Sequence, residues 1–254
     1  VWVELKADEP IIPLHLFRDR TFTLAVIGSI AVGVAMFGTS IFLSQYMQFA
    51  RGATPTLSGI MILPMVAGQM LGGIGGGNLI SRWGRWKPYV VGGGFLTIAG
   101  LALMGTIHYD TDFALVSLYM FVLGLGVGLI MQNLVLVVQN SVDPRHLGAA
   151  SAGVTFFRTL GGSVGVSVIG ATLAARIPVL LQQGIADLPP ADRKGLEQLQ
   201  GGHLPDLTTL PEPIRIVVEN AYGTAIAQSF WNVVPLAVLG RVGVGRLPKR
   251  RLGR

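Results

Sequence analysis

The sequence contains no cysteine, which removes disulfides, thiolate nucleophiles and cysteine-ligated zinc from consideration. It is also poor in charge. Only 13% of its 254 residues are Asp, Glu, Lys or Arg, about half the share in an ordinary soluble domain. Histidine is scarce: His15, His108, His146 and His203 lie far apart, and no metal-ligand spacing links them. No G-K-[ST] occurs, and no glycine cluster fits G-x-G-x-x-G, so the nucleotide-cradling loops are missing. No catalytic constellation is left. The expectation is a protein that is not an enzyme and uses no metal or cofactor.

What the chain does have is length without charge. Charge-free runs fill Thr21–Ala50, Gly52–Ser81, Pro88–Tyr109, Phe113–Val142 and Asn220–Gly240, and a sixth run, His146–Ala175, is broken only by Arg158. A bilayer-spanning helix needs about 20 mostly apolar residues. A soluble fold can bury one or two such helices, but not six in succession. The fold class is therefore an all-α membrane protein with a lipid bilayer as its solvent.

The formal net charge of +6 does not point to nucleic acid, because the cations are placed by topology. If the side preceding the first span is inside, the inside loops hold Lys6, Arg18, Arg20, Arg82, Arg85, Lys87, Arg145 and the tail from Arg241 to Arg254. Outside lie Arg51, Arg176, Arg193, Lys194 and Arg215, four of them in or beside one long loop. Short loops obey the positive-inside rule and long loops are largely exempt. Both ends of the chain are then cytoplasmic, in a multi-pass protein of the cell (inner) membrane. Residues 1–20 read as a connection from a preceding span, 21–175 as five helices and 176–220 as a long extracytoplasmic loop with one short helix in "PADRKGLEQLQ". Residues 221–240 read as a sixth helix and 241–254 as a basic tail touching anionic headgroups, with Arg241 placed to snorkel inward.

Polar residues inside the spans are the functional candidates. All 13 carboxylates fall outside the runs, so no proton relay of the Asp/Glu kind lies within them. Arg158 lies about 15 Å into its helix, near mid-membrane. A bare arginine there costs at least about 2.5–3.5 kcal/mol. Its partner can be an acid elsewhere in the protein, carbonyls of neighbouring helices, or a water-filled cavity. The first and third make it functional; the second makes it structural. Gln45, Gln69, Gln132 and Asn133 can line a substrate path or hydrogen-bond between helices; Gln132 pairs with Gln139 and Asn133 with Asn140 at two-turn spacing, which places these amides on one side of the helix. Gly124 with Gly128, and Gly153 with Gly161 and Gly165, repeat at helical spacing and read as packing faces in lipid.

The stretch "GNLISRWGRWKP" resembles the loop G-x-L-x-D-R-x-G-R-[RK]-[RK] that follows the second helix of each half of major facilitator superfamily transporters. Gly77, Leu79, Arg82, Gly84, Arg85 and Lys87 stand in its places, while Ser81 replaces the acid and Trp86 one of the cations. "EPIIPLHLFRDRTF" and "QNLVLVVQNSVDPRHLGAASAGVTFFRTLGGSVGVSVIGA", with the long loop before the last span, are similar to the C-terminal half of fourteen-span drug:proton antiporters. The likeness runs to about Pro235 and fails after Gly240.

The resemblance implies a six-helix C-terminal bundle of that fold, packed against a missing N-terminal half that holds the coupling carboxylate. It implies export of small amphipathic, drug-like molecules against proton influx, with Gly77, Arg82, Gly84, Arg85 and Lys87 as the gating-loop motif. A carrier for another small molecule, such as a siderophore or metabolite, stays open, as does a truncated membrane half that transports nothing.

Overall fold

The computed structural model describes residues 14–84, 86–189 and 210–245. Among these residues the chain is helical, with no strand. A 3-10 turn, Leu14–Arg18, leads into α1 (Arg20–Phe49). α2 (Pro55–Met61) and α3 (Leu63–Trp83) together make a second crossing, followed by α4 (Lys87–Met104) and α5 (Phe113–Gln139). α6 (Leu147–Ala186) and α7 (Glu212–Gly245) complete six helices long and apolar enough to span a membrane.

Local chemistry sets the helix ends. Asp19 caps α1, its Oδ1 accepting from the Thr21 N–H at 2.6 Å, and Asp112 caps α5 through the Ala114 N–H at 2.7 Å. Thr54 does the same for α2, with Pro55 in the first turn where its missing N–H costs nothing. Pro64 opens α3 and separates it from α2 at Ile62. Gly84 closes α3 with φ +66° and its N–H on the Ile80 carbonyl at 2.7 Å, a left-handed cap that a side chain would strain.

The last two helices are longer than the apolar runs. α6 continues through Pro178 to Ala186, and at 1.5 Å per residue it is about 60 Å long, twice the hydrocarbon core. α7 already begins at Glu212 and continues past Gly240 to Gly245. Much of the segment expected as a loop between 176 and 220 is therefore helical at both ends. The extensions pack on each other, with Gly184 beneath the Val217 side chain. Apolar-run length marks where lipid begins, not where a helix stops. The short helix expected in "PADRKGLEQLQ", residues 1–13, Arg85 and the tail 246–254 lie outside the described residues.

Four helices form a row in the order α3, α5, α1, α6, with α4 behind α5 and α7 behind α1. Exchanging α1 with α5, α3 with α6 and α4 with α7 largely reproduces the same set of neighbours. This is the arrangement of two inverted three-helix repeats. The extra packing of α6 on α7 departs from it, and the contacting extensions account for part of that. One end of the bundle gathers Arg20, Arg82, Lys87, Arg145 and the end of α7; we call it the basic end. The opposite end is tied by the Tyr46 hydroxyl donating to the His108 carbonyl, Arg51 to the Thr111 carbonyl, and Trp231 Nε1 to the Gly105 carbonyl at 3.0 Å.

Glycine makes the crossings close. A Cβ on Gly72 would collide with the Leu125 carbonyl, one on Gly124 with that of Met65, and one on Gly128 with that of Gln69. On the other side of the row, a Cβ on Gly33 would collide with the Arg158 carbonyl. In lipid there is no hydrophobic drive between helices, so backbone approach of this kind supplies the packing.

Candidate functional site

Arg158 lies at the α1–α6 crossing and is 5% exposed. Its backbone faces Gly33, while its side chain reaches α5, where Nη2 donates to the Met131 carbonyl at 3.2 Å. Its Nε is buried and has no partner among the described residues. Of the three compensations open to this arginine, a neighbouring helix carbonyl is present. One carbonyl bond leaves the guanidinium under-satisfied among the described residues.

The α5 amides do not share one environment, because adjacent residues on a helix point 100° apart and α5 has neighbours on several sides. Gln132 is exposed beside Gly73 of α3. Asn133 is fully buried against Gly76; its Nδ2 donates to the Leu129 carbonyl, and its Oδ1 has no partner among the described residues. Gln139 donates to Ser151 of α6 at 2.9 Å, and exposed Asn140 turns back to the Leu136 carbonyl at 2.8 Å. Gln45 and Gln69 are half-buried and make no hydrogen bond among the described residues. Gln69 lies at the α3–α5 crossing, its carbonyl against Gly128, as the Arg158 carbonyl lies against Gly33. The two residues occupy corresponding places under the helix exchange given above.

Of the gating-loop motif, Gly77 is helical with open space where a Cβ would go, Arg82 is exposed, Gly84 is the left-handed cap, and Lys87 opens α4. Ser81, where the pattern has an acid, donates back to the Gly77 carbonyl at 3.0 Å. Among the glycines, Gly124 and Gly128 meet α3, Gly161 meets Ile30 and Gly165 meets Val34 of α1; Gly153 has looser contact with Phe22.

Two features escaped the reading of the sequence. The first is a line of hydroxyls on the exposed face of α6. Thr155, Thr159, Ser163 and Ser167 follow at four-residue spacing, each donating to the carbonyl one turn back at 2.9–3.1 Å. Phe156, Leu160, Val164 and Val168 run beside them, also exposed. The i, i+4 spacing was visible, but threonine and serine are common in membrane helices, so exposure had to single it out. The second is the α3–α5 glycine seam, where Gly68, Gly72 and Gly76 are buried at the same spacing.

Membrane-length helices built on close glycine crossings, with an isolated arginine and several amides among them, make this a polytopic membrane bundle. Residues 3–166 match the Major Facilitator Superfamily. The chain belongs to that family, whose members are transporters and not enzymes. It is 36% identical over 244 residues to a Mycobacterium tuberculosis protein named "uncharacterized MFS-type transporter", covering 94% of this chain and 34% of that protein. It is 34% identical over 203 residues to the multidrug transporter protein MdtP of Bacillus subtilis, covering 78% of this chain and 37% of that one. The fold is similar to that of a bacterial homologue of the human lysosomal transporter Spinster in an inward-facing, occupied conformation. The TM-score there is 0.66 at 16% identity, over 94% of this chain and 52% of the other. The chain thus spans about a third of the length of the curated relatives it matches.

Proposed function

We propose that this chain is the C-terminal bundle of a secondary exporter of small amphipathic molecules, driven by proton influx and seated in the cell membrane with its basic end in the cytoplasm. The observation that carries this reading is the uncovered row α3–α5–α1–α6. It presents Gln132, the α6 hydroxyls and a broad apolar surface, with under-satisfied Arg158 and half-buried Gln69 behind them. A second bundle laid on that row would enclose a mixed apolar and polar cavity of the kind that takes drug-sized ligands. The multidrug name of one relative supports the substrate class. The charge-free runs hold no carboxylate, which supports a coupling acid in the covering half.

The test is to join the chain to a family N-terminal half that carries an intramembrane acid. Export of a lipophilic cationic dye from everted vesicles is then followed with and without a proton gradient. Gradient-dependent dye movement by the joined protein, and none by the chain alone, is the expected result. Dye movement that ignores the gradient would remove proton coupling. Movement of metabolites or siderophores but not dye would favour the other carrier reading.

A further inference from the structure

The six long helices divide into two blocks, α3–α4–α5 and α1–α6–α7, and the contacts within the blocks differ in kind from those between them. The four most extensively packed pairs, α3 with α5, α4 with α5, α1 with α6 and α1 with α7, all lie inside a block. So do the glycine crossings at which backbone meets backbone. A Cβ on Gly68 or Gly72 would strike an α5 carbonyl, one on Gly126 the Thr97 nitrogen of α4, and one on Gly161 the Ile30 carbonyl of α1. Across the boundary, a Cβ on Gly94 or Gly105 would first meet the side chains of Arg241 and Trp231, and one on Gly223 would stay 3.3 Å from the Tyr109 backbone.

The specific ties across the boundary are made by side chains. Arg158 of α6 reaches the Met131 carbonyl of α5, and Gln139 of α5 reaches Ser151 of α6. Trp231 of α7 reaches the Gly105 carbonyl at the end of α4, Tyr46 of α1 that of His108, and Arg51 that of Thr111. Arg241 of α7 stacks its guanidinium on the Phe95 ring of α4, 3.4 Å from the centre. A cavity of about 20 Å³ lies on the same boundary, between α1, α4, α5 and α7. The chain passes from block to block between α1 and α3 and again between α5 and α6, and each passage holds a proline. In the first, α2 packs on α1, with Ser58 Oγ 3.4 Å from Ser44 Oγ, and the helix breaks before α3 at Ile62 and Pro64. The second contains Pro144.

We propose that the bundle is not one rigid body: its two three-helix blocks shear along this boundary, and the shear is part of the transport cycle. The second clause rests on the transport reading above; the first does not. Two backbones in contact at a glycine crossing cannot slide without collision, so each block keeps its shape. A long side chain that donates to a carbonyl can let go and pair again after a small slide, because a helix carbonyl keeps a second lone pair for an incoming donor. Slides of this kind between packed helices are about 1–2 Å. The break at Ile62 and the turn at Pro144 are the joints that such a slide requires, and Pro64 lacks the N–H that would help fuse α2 and α3 into one straight helix. The cavity leaves the boundary short of close packing, which gives its side chains room to change rotamer.

The test uses the full chain in lipid nanodiscs, spin-labelled at pairs of introduced cysteines, since the sequence has none of its own. Leu115 with Gln182 measures across the boundary, Arg82 with Leu115 within one block and Arg20 with Gln182 within the other; all four positions are exposed. Trp231→Phe combined with Tyr46→Phe removes two ties and keeps the rings. This double variant should shift or broaden the cross-boundary distance by about 2 Å or more and leave both within-block distances unchanged. Melting curves verify that it is folded, and Arg158→Met supplies an independent cut should the double variant misfold. Broadening of all three distances would overturn the two blocks in favour of a bundle that loosens as a whole. No change in any of them would show a single rigid body. These distances need no transport, so they stand or fall apart from the export reading. In the joined protein, a short bis-thiol bridge between cysteines at Gly105 and Trp231, across the boundary, should abolish dye export relative to the same protein unbridged. The same bridge between cysteines at Arg176 and Gln228, whose side chains join α6 to α7 inside one block at 3.2 Å, should leave export unchanged. Export that survives the first bridge would overturn the role of the shear in transport.

Discussion

Arg158 of α6 and Met131 of α5 are joined by one hydrogen bond, from Nη2 to the backbone carbonyl at 3.2 Å. It ties together two helices that otherwise pack far less on each other than on their main partners. The bond crosses at mid-depth, between the helix that carries the exposed hydroxyls and the one that carries Gln132 and Asn133. A tie of this kind can hold a resting arrangement and yield when another acceptor arrives.

Arg158→Met should therefore lower efflux by the joined protein about tenfold or more, the loss expected when a charged hydrogen bond is needed for the working state. Thermal stability in detergent should stay level or rise, because an apolar side chain avoids the cost of a buried charge. A clear fall in melting temperature with efflux intact would make the arginine a packing residue.

The glycine seam predicts opposite outcomes for neighbouring glycines. Gly72→Val should destabilise the bundle by about 1–3 kcal/mol or more, since the added carbons meet backbone that cannot move aside. Gly77→Ala, five residues on, meets open space and should be neutral or stabilise by up to about 1 kcal/mol. Gly84→Ala should cost about 1–2 kcal/mol through its left-handed φ. Melting curves of the purified variants check all three.

The lack of native cysteine makes labelling direct. In the joined protein, single cysteines at Thr155, Thr159 and Ser163 should react with a water-soluble maleimide faster than cysteines at Leu160, Val164 and Val168, and substrate should slow them. Equal rates on the two strips would remove the hydroxyl line from the transport path.

Orientation can be tested with the same chemistry. A cysteine at Asp187 should label in intact cells, and one at Arg145 only after permeabilisation. The reverse pattern would turn the bundle over, and the positive-inside argument would fail for this chain.

The resemblance to a transporter family was legible because its motif is local. Gly77, Arg82, Gly84 and Lys87 follow one another along a single helix end and the start of the next. The polar site was legible only in part. Arg158 stood out because a charge in an apolar run has no local explanation. Gln132 and Asn133 read alike in sequence, yet one is exposed and the other buried against Gly76. Helical spacing tells which residues share a face, but not what that face meets.

Six crossings of a bilayer follow from the sequence by itself, since about 20 apolar residues without charge have a lower free energy in lipid than in water. The pairing of those helices, the carbonyl that answers Arg158, the ring under Arg241 and the length of α6 beyond the membrane were decided by tertiary structure. Each depends on contacts between residues far apart in the chain, made possible where glycines let two backbones touch.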